Sequence, residues 1–415
     1  MDNKAIGLKV LRKMVHFPST YRLLLPFLNL LHSKENQAYR VWVRFLLSTF
    51  RDAYAHQKPV IWINSFLPSE LIYGLGAIPI LPEIISALVS YLEWSGRFLS
   101  RADTSISTDL CSFYRCALGL ALEDFLPRPD LILSSSQLCD GANKFFNYLS
   151  RLYQCPHLFL DPPYSDHPRS HRYMEGQIEE VMDEATKILS LPLRKERFRL
   201  VLNRSNQARQ WIEKINQLRQ SIPSPFPGSE GLSYLSGMSF HSMGSPWALR
   251  FFPLLYAEIE KRVFSKKGYL PEEKHRFLWL HHVRPYYKNE IFNILSSRGV
   301  ALSFEEANYL YWPPLDPSEP WKSLADKILS NVWAGPIERR MKAIEEMRVA
   351  YSIDGVIHFS HWGCRQSCGG AAIIGDWLKE KGISYLVLFG DGADPNNYST
   401  GQIRTRLEAF IEMMG

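Results

Sequence analysis

The chain has 415 residues, 46% hydrophobic and 22% charged, which is enough for ordinary globular cores and for two or three domains. Its 48 basic and 42 acidic side chains leave a net charge of +6, mild over this length and without a dense basic block, so nothing supports nucleic-acid binding. No run reaches the roughly 18 apolar residues of a membrane-spanning helix, and Met1-Asp2-Asn3-Lys4 leads into no secretory core, so the expected place is the cytoplasm, with the six cysteines reduced.

Residues 1–57 read as an N-terminal helical segment. Tyr39, Val41, Trp42, Phe45, Leu46 and Phe50 recur at the spacing of a packed helix face. From Pro59 the pattern changes to short apolar runs alternating with helical stretches. Val60–Ile63, Ala77–Ile80, Leu131–Leu133 and His157–Leu160 read as strands. Leu71–Leu75, Glu83–Leu99, a stretch carrying Cys111 and capped by Thr108 or Asp109, and Gly141–Tyr153 read as helices. Residues 58–169 thus form a first α/β lobe. Residues 170–270 read as a helical bridging segment, with helices over Glu175–Leu189 and Lys195–Gln220 and a breaker at Pro223–Gly228. Alternation returns in 271–415, a second α/β lobe. Its strands are Phe277–Leu280, Val300–Phe304, Val356–Phe359 and Tyr385–Phe389; its helices are Tyr286–Ser296, 321–350, Ala371–Lys381 and Thr400–Met413. The fold class is therefore α/β, two doubly wound parallel-sheet lobes with N-terminal and central helical parts.

Three cysteines stand out. Cys364 sits between a strand and a helix, where open α/β sheets bind ligands and where a helix N-terminus favours the thiolate. Cys111 and Cys139 repeat the placement. Three thiolates can hold an iron-sulfur cluster with one iron left open, although spacing alone leaves inert buried cysteines or a zinc-stabilised binding protein as alternatives.

The flanking residues carry a resemblance. Ser65-Phe66-Leu67-Pro68-Ser69-Glu70-Leu71-Ile72-Tyr73-Gly74-Leu75-Gly76-Ala77-Ile78-Pro79, Cys111-Ser112-Phe113-Tyr114-Arg115, Pro129 through Asp140, and Gly390-Asp391-Gly392-Ala393-Asp394 with Tyr398, Gln402, Thr405-Arg406 and Glu408-Ala409-Phe410 fall in a specific order. In these pieces the chain resembles the benzoyl-CoA reductase/2-hydroxyacyl-CoA dehydratase family. The resemblance implies a 4Fe–4S cluster between the lobes on Cys111, Cys139 and Cys364. It implies one-electron, ketyl-radical chemistry on an acyl-CoA thioester, as dehydration or reduction. Electrons would come from a separate ATP-hydrolysing iron-sulfur activator, which fits the lack of a phosphate-binding glycine loop in this chain. The partner would be a related second subunit in a heterodimer, or a second copy in a homodimer. Two alternatives stay open: a non-catalytic companion subunit, and a double-cubane-cluster reductase of small molecules that would also use Cys116, Cys155 and Cys368.

Ser65 and His361 are the candidate catalytic residues. Ser65 follows the first strand, where relatives often carry Ser or Thr near the cluster. His361 could bond a thioester oxygen or move a proton, and Trp362 could wall the pocket. His281-His282 end a strand at the crevice edge. Asp391 and Asp394 read as loop caps, and Arg404 and Arg406 as residues serving the last helix or a subunit contact.

Overall fold

A computed structural model of the chain describes residues 12–31 and 36–414. Among them, eight strands form two parallel sheets of four. The first, in the order β2-β1-β3-β4, uses β1 (Val60–Ile63), β2 (Ile78–Ile80), β3 (Leu131–Ser135) and β4 (His157–Leu160). The second, in the order β6-β5-β7-β8, uses β5 (His275–Leu280), β6 (Val300–Glu305), β7 (Gly355–His361) and β8 (Ser384–Gly390). The two orders are the same pattern repeated.

The inner strands β1, β3, β5 and β7 are largely apolar because both their faces are covered, whereas the edge strands β4 and β8 keep partly exposed positions. Alternate residues of one strand enter different cores. Val60 and Trp62 join Phe277, Trp279, Ile357 and Phe359 in a core that runs between the lobes. Ile61 and Ile63 pack on the opposite face against the helices Pro168–Ile188 and Pro320–Leu329. Leu278, Leu280 and Val356 pack with the helices Ile337–Ala350 and Ala371–Glu380. A helical core of its own joins Gln37–Tyr54, Lys195–Leu218 and Ala248–Phe264.

Several predicted helices are divided or shifted. Glu83–Leu99 is two helices, Pro82–Tyr91 and Ser95–Ala102, because Glu93 adopts φ 61° and ends the first. The stretch 321–350 breaks after Leu329, where Gly335 turns at φ 83° into Pro336. Tyr286–Glu290 is a loop, fastened by the Tyr286 N–H to Gly392 O at 2.9 Å, and its helix starts only at Ile291. β7 continues past Phe359 to His361, which puts that histidine on the sheet. In the N-terminal segment, Pro18–Leu31 and Gln37–Tyr54 are helical; the predicted character of 1–11 and 32–35 lies outside the described residues.

Candidate functional site

In each sheet the first strand has the second on one side and the third on the other, so β1/β3 and β5/β7 are the switch points where α/β sheets bind ligands. The segments leaving these four strands line one cavity of about 620 Å³: Ser65 and Phe66 after β1, Cys139 after β3, His282 after β5, and His361 and Cys364 at the end of β7. Cys111 completes it from the start of the helix Ser112–Leu122. Cys111 departs from the predicted placement, since it follows a loop rather than a strand and stands outside its helix, at the capping position.

Cys139 and Cys364 cap helices in the same way, at Asp140–Tyr153 and Arg365–Gly369. None of the three sulfurs closes a full capping bond, yet helix N–H groups lie close enough to favour the thiolates: Phe113 toward Cys111, Ala142 and Gly141 toward Cys139, Ser367 and Gln366 toward Cys364. Burial works the other way and wins. It raises all three thiols, that of Cys364 to about 12, and the mutual repulsion of the sulfurs adds to the rise at Cys111 and Cys364. Cys111 is buried and Cys139 and Cys364 are half-buried, so three thiolates gathered here would be eased by a cation among them.

Gly363 brings the lobes together. It adopts φ 75°, and a Cβ there would stand 2.9 Å from both the N and the Cα of Cys111. Across the mouth, Arg365 bonds Asp140 at 2.6 Å, joining the helix starts behind Cys364 and Cys139.

The second lobe surrounds the sulfurs with imidazoles. His361 Nδ1 accepts the Gly392 N–H at 3.1 Å, so in the neutral ring Nε2 carries the proton; Nε2 lies 3.3 Å from Cys111 Sγ. His281 Nε2 lies 3.5 Å from Cys364 Sγ. Burial holds both rings neutral by depressing their pKa values. His281 sits at φ 91°, a strained backbone held by its N–H to Glu306 at 2.7 Å. Burial opposes the charge of Glu306, but bonds of 2.6 and 2.8 Å from Arg340 outweigh it and keep the carboxylate ionised.

The first lobe contributes a carboxyl group that the sequence reading passed over. Glu83, in the first turn of Pro82–Tyr91, lines the cavity. Its Oε1 accepts the Ser65 N–H at 3.1 Å and the Tyr114 hydroxyl at 2.9 Å, and the Ser65 hydroxyl faces it too. Its Oε2 is buried with no partner. Burial raises its pKa to about 7. The available signal was a single charge inside the apolar run Ala77–Val89.

Other candidates fall elsewhere. Trp362 is 55% exposed and does not line the cavity. Cys116 and Cys155 are buried in the core between the lobes, and Cys368 is exposed with its sulfur 3.4 Å from His361 O; none of these lines the cavity. Asp391 accepts the N–H groups of Ala393 and Asp394, at 2.8 and 2.9 Å, and Asp394 caps the turn Pro395–Asn397, as the loop reading expects. Arg404 pairs with Glu290, and Arg406 lies over the Phe389 ring.

The donor set fits an iron-sulfur cluster: three thiols from both lobes, helix N–H groups behind them and two imidazoles against two of the sulfurs. Among the described residues no three Cys, His, Asp or Glu side chains close on a single metal ion. Among the described residues no helix is long and apolar enough to cross a membrane.

Comparison with known proteins places this geometry in context. One of the benzoyl-CoA reductase polypeptides of Thauera aromatica is 24% identical over 384 residues, covering 85% of this chain and 88% of its own. The (R)-phenyllactyl-CoA dehydratase alpha subunit of Clostridium sporogenes is 24% identical over 380 residues, covering 86% and 90%. The (R)-2-hydroxyisocaproyl-CoA dehydratase alpha subunit of Clostridioides difficile is 22% identical over 401 residues, covering 86% and 90%. The sequence pattern of the 2-hydroxyglutaryl-CoA dehydratase D-component family matches residues 64–414, and with most of its length matched the chain belongs to that family.

Proposed function

We propose that this chain is the cluster-holding subunit of an enzyme complex that dehydrates or reduces an acyl-CoA, with Cys111, Cys139 and Cys364 as ligands. The observation that carries the reading is the convergence of these three cysteines, from both lobes, on one cavity. A bound 4Fe–4S cluster would supply single electrons at low potential, delivered by an ATP-hydrolysing activator. A related second subunit would complete the complex.

The chain's own residues have separate tasks. Helix N–H groups and the imidazole N–H of His361 stabilise sulfur charge. Phe66, Phe113 and Tyr114 wall the cavity and exclude water. With both ring nitrogens engaged, His361 serves the sulfur rather than proton transfer. That task falls to Glu83, which lines the cavity and whose pKa near 7 suits it to give or take a proton on a bound thioester. Ser65 and Tyr114 fix the orientation of its carboxyl group.

The test is a titration of acyl-CoA thioesters into the anaerobically reconstituted protein, followed by EPR after dithionite. A change in the cluster spectrum on thioester binding is expected. An unchanged spectrum with bound thioester would contradict substrate turnover at this chain and leave it a companion subunit.

A further inference from the structure

The cavity holds one cation that neither the sulfurs nor Glu83 account for. Arg284, four residues beyond β5, lines the cavity wall. Among the described residues its guanidinium has no carboxylate partner and no hydrogen bond, and its Nε is buried without an acceptor. Burial depresses its pKa, and only the phenols of Tyr286 and Tyr91 oppose that. Two aromatic rings hold it, Tyr286 at 5.1 Å and Phe292 at 5.2 Å. The Tyr286 hydroxyl is already engaged, donating to Leu232 O at 2.9 Å, so the ring is a fixed platform.

Arg284 is half-buried, and a partly desolvated guanidinium with no carboxylate partner is a ready site for an anion that enters the cavity. Its planar fork suits a carboxylate or phosphate, bound through two N–H donors. Its neighbours say which end of a thioester it meets. Tyr286 stacks edge-on with Phe113 at 5.9 Å, Phe113 with His361 at 5.4 Å, and His361 touches Cys111. Arg284 is therefore two rings from the histidine at the sulfurs. The phosphates of CoA are separated from the thioester by the whole pantetheine arm, whereas a substituent on the acyl chain stays near it.

We propose that Arg284 is a specificity residue that binds a carboxylate at the far end of the acyl chain, so that the site takes dicarboxylic acyl-CoA thioesters. This rests on the acyl-CoA reading above.

The experiment compares binding of glutaryl-CoA and valeryl-CoA, five-carbon thioesters that lack a 2-hydroxyl, to the reconstituted protein and to Arg284→Met. Glutaryl-CoA is expected to bind about tenfold or more tighter, the return of one charge-assisted pair. Arg284→Met should abolish that difference and leave valeryl-CoA unchanged, while Arg284→Lys should keep part of it. Without ligand, Arg284→Met should melt no lower than the parent, because it removes a half-buried charge with no carboxylate partner. Equal binding of the two thioesters by the parent would overturn the proposal while leaving the acyl-CoA reading intact. So would a loss shared by both thioesters and absent for the phosphate-free N-acetylcysteamine thioesters, which would assign Arg284 to the CoA phosphates. A variant that melts far below the parent would make Arg284 a structural residue and overturn it also. Binding of neither thioester would overturn the acyl-CoA reading itself.

Discussion

The two lobes repeat one strand order, and at equivalent points they do the same thing with the backbone and different things with the side chains. After β3 the chain turns through Leu138 at φ 75° into Cys139; after β7 it turns through Gly363, also at 75°, into Cys364. Each cysteine then caps a helix. After the first strand of each sheet the lobes diverge: Ser65 leads to a carboxyl group at Glu83, whereas His281 and His282 bring imidazoles. The repeated fold places a sulfur, and the local residues decide whether that wall carries a carboxyl group or imidazoles. The left-handed turns also differ in what they tolerate. A leucine stands at the first, but at the second the Cys111 backbone occupies the space of a side chain.

Substitution at the paired turns tests that difference most severely. Gly363→Val forces a branched residue into a left-handed turn and against Cys111, and should destabilise the protein by about 3 kcal/mol and abolish cluster uptake. Leu138→Gly, at the equivalent turn, should retain iron. Thermal melting and iron content check both, and a Gly363→Val protein with normal iron would break the comparison.

The carboxyl wall should separate from the sulfurs next. Glu83→Gln is expected to lower turnover by about a hundredfold or more with iron content unchanged. Its effect on stability has a definite sign. Folded Glu83 keeps its proton to about pH 7, while the unfolded chain releases it near 4.5. Between these values the folded state binds more protons, so stability falls as pH rises through the window. Glu83→Gln should remove that fall, which denaturant titrations at pH 5 and pH 8 would register.

The imidazole wall should give the smallest effect. His361→Leu removes an N–H donor from Cys111, and the reduction potential should move to more negative values. The shift is on the order of 60 mV for each 1.4 kcal/mol of bonding that favours the reduced form. His281→Leu should shift it less, because its contact with Cys364 is longer and its tautomer is not fixed by a second bond.

The eight strands were legible in the sequence because each contains a short apolar run, buried on both faces in the inner strands, as at Val60–Ile63, and partly exposed at the edges β4 and β8. That Cys111, Cys139 and Cys364 line one cavity was expected from the residues around them. What escaped depends on distance in the fold. Glu83 reads locally as an ordinary first-turn acid after Pro82, and only the approach of Ser65 and Tyr114 gives it a buried face. The ring of His361 is committed by Gly392 and Cys111, respectively 31 and 250 residues away in the chain. Arg284 looks like any loop cation until the absence of a carboxylate partner among the described residues is seen. The helix break falls at Glu93, with Gly96 only in the first turn of the next helix, so no breaker residue stands at the turn itself.

The most direct measurement is iron and acid-labile sulfide per chain, on protein purified without oxygen, for the parent, Cys111→Ser, Cys139→Ser and Cys364→Ser, with Cys116→Ser as the control. About four irons per chain are expected in the parent and the control, and a marked loss in each of the other three. Iron near zero after reconstitution, or unchanged by all three ligand substitutions, would contradict this expectation.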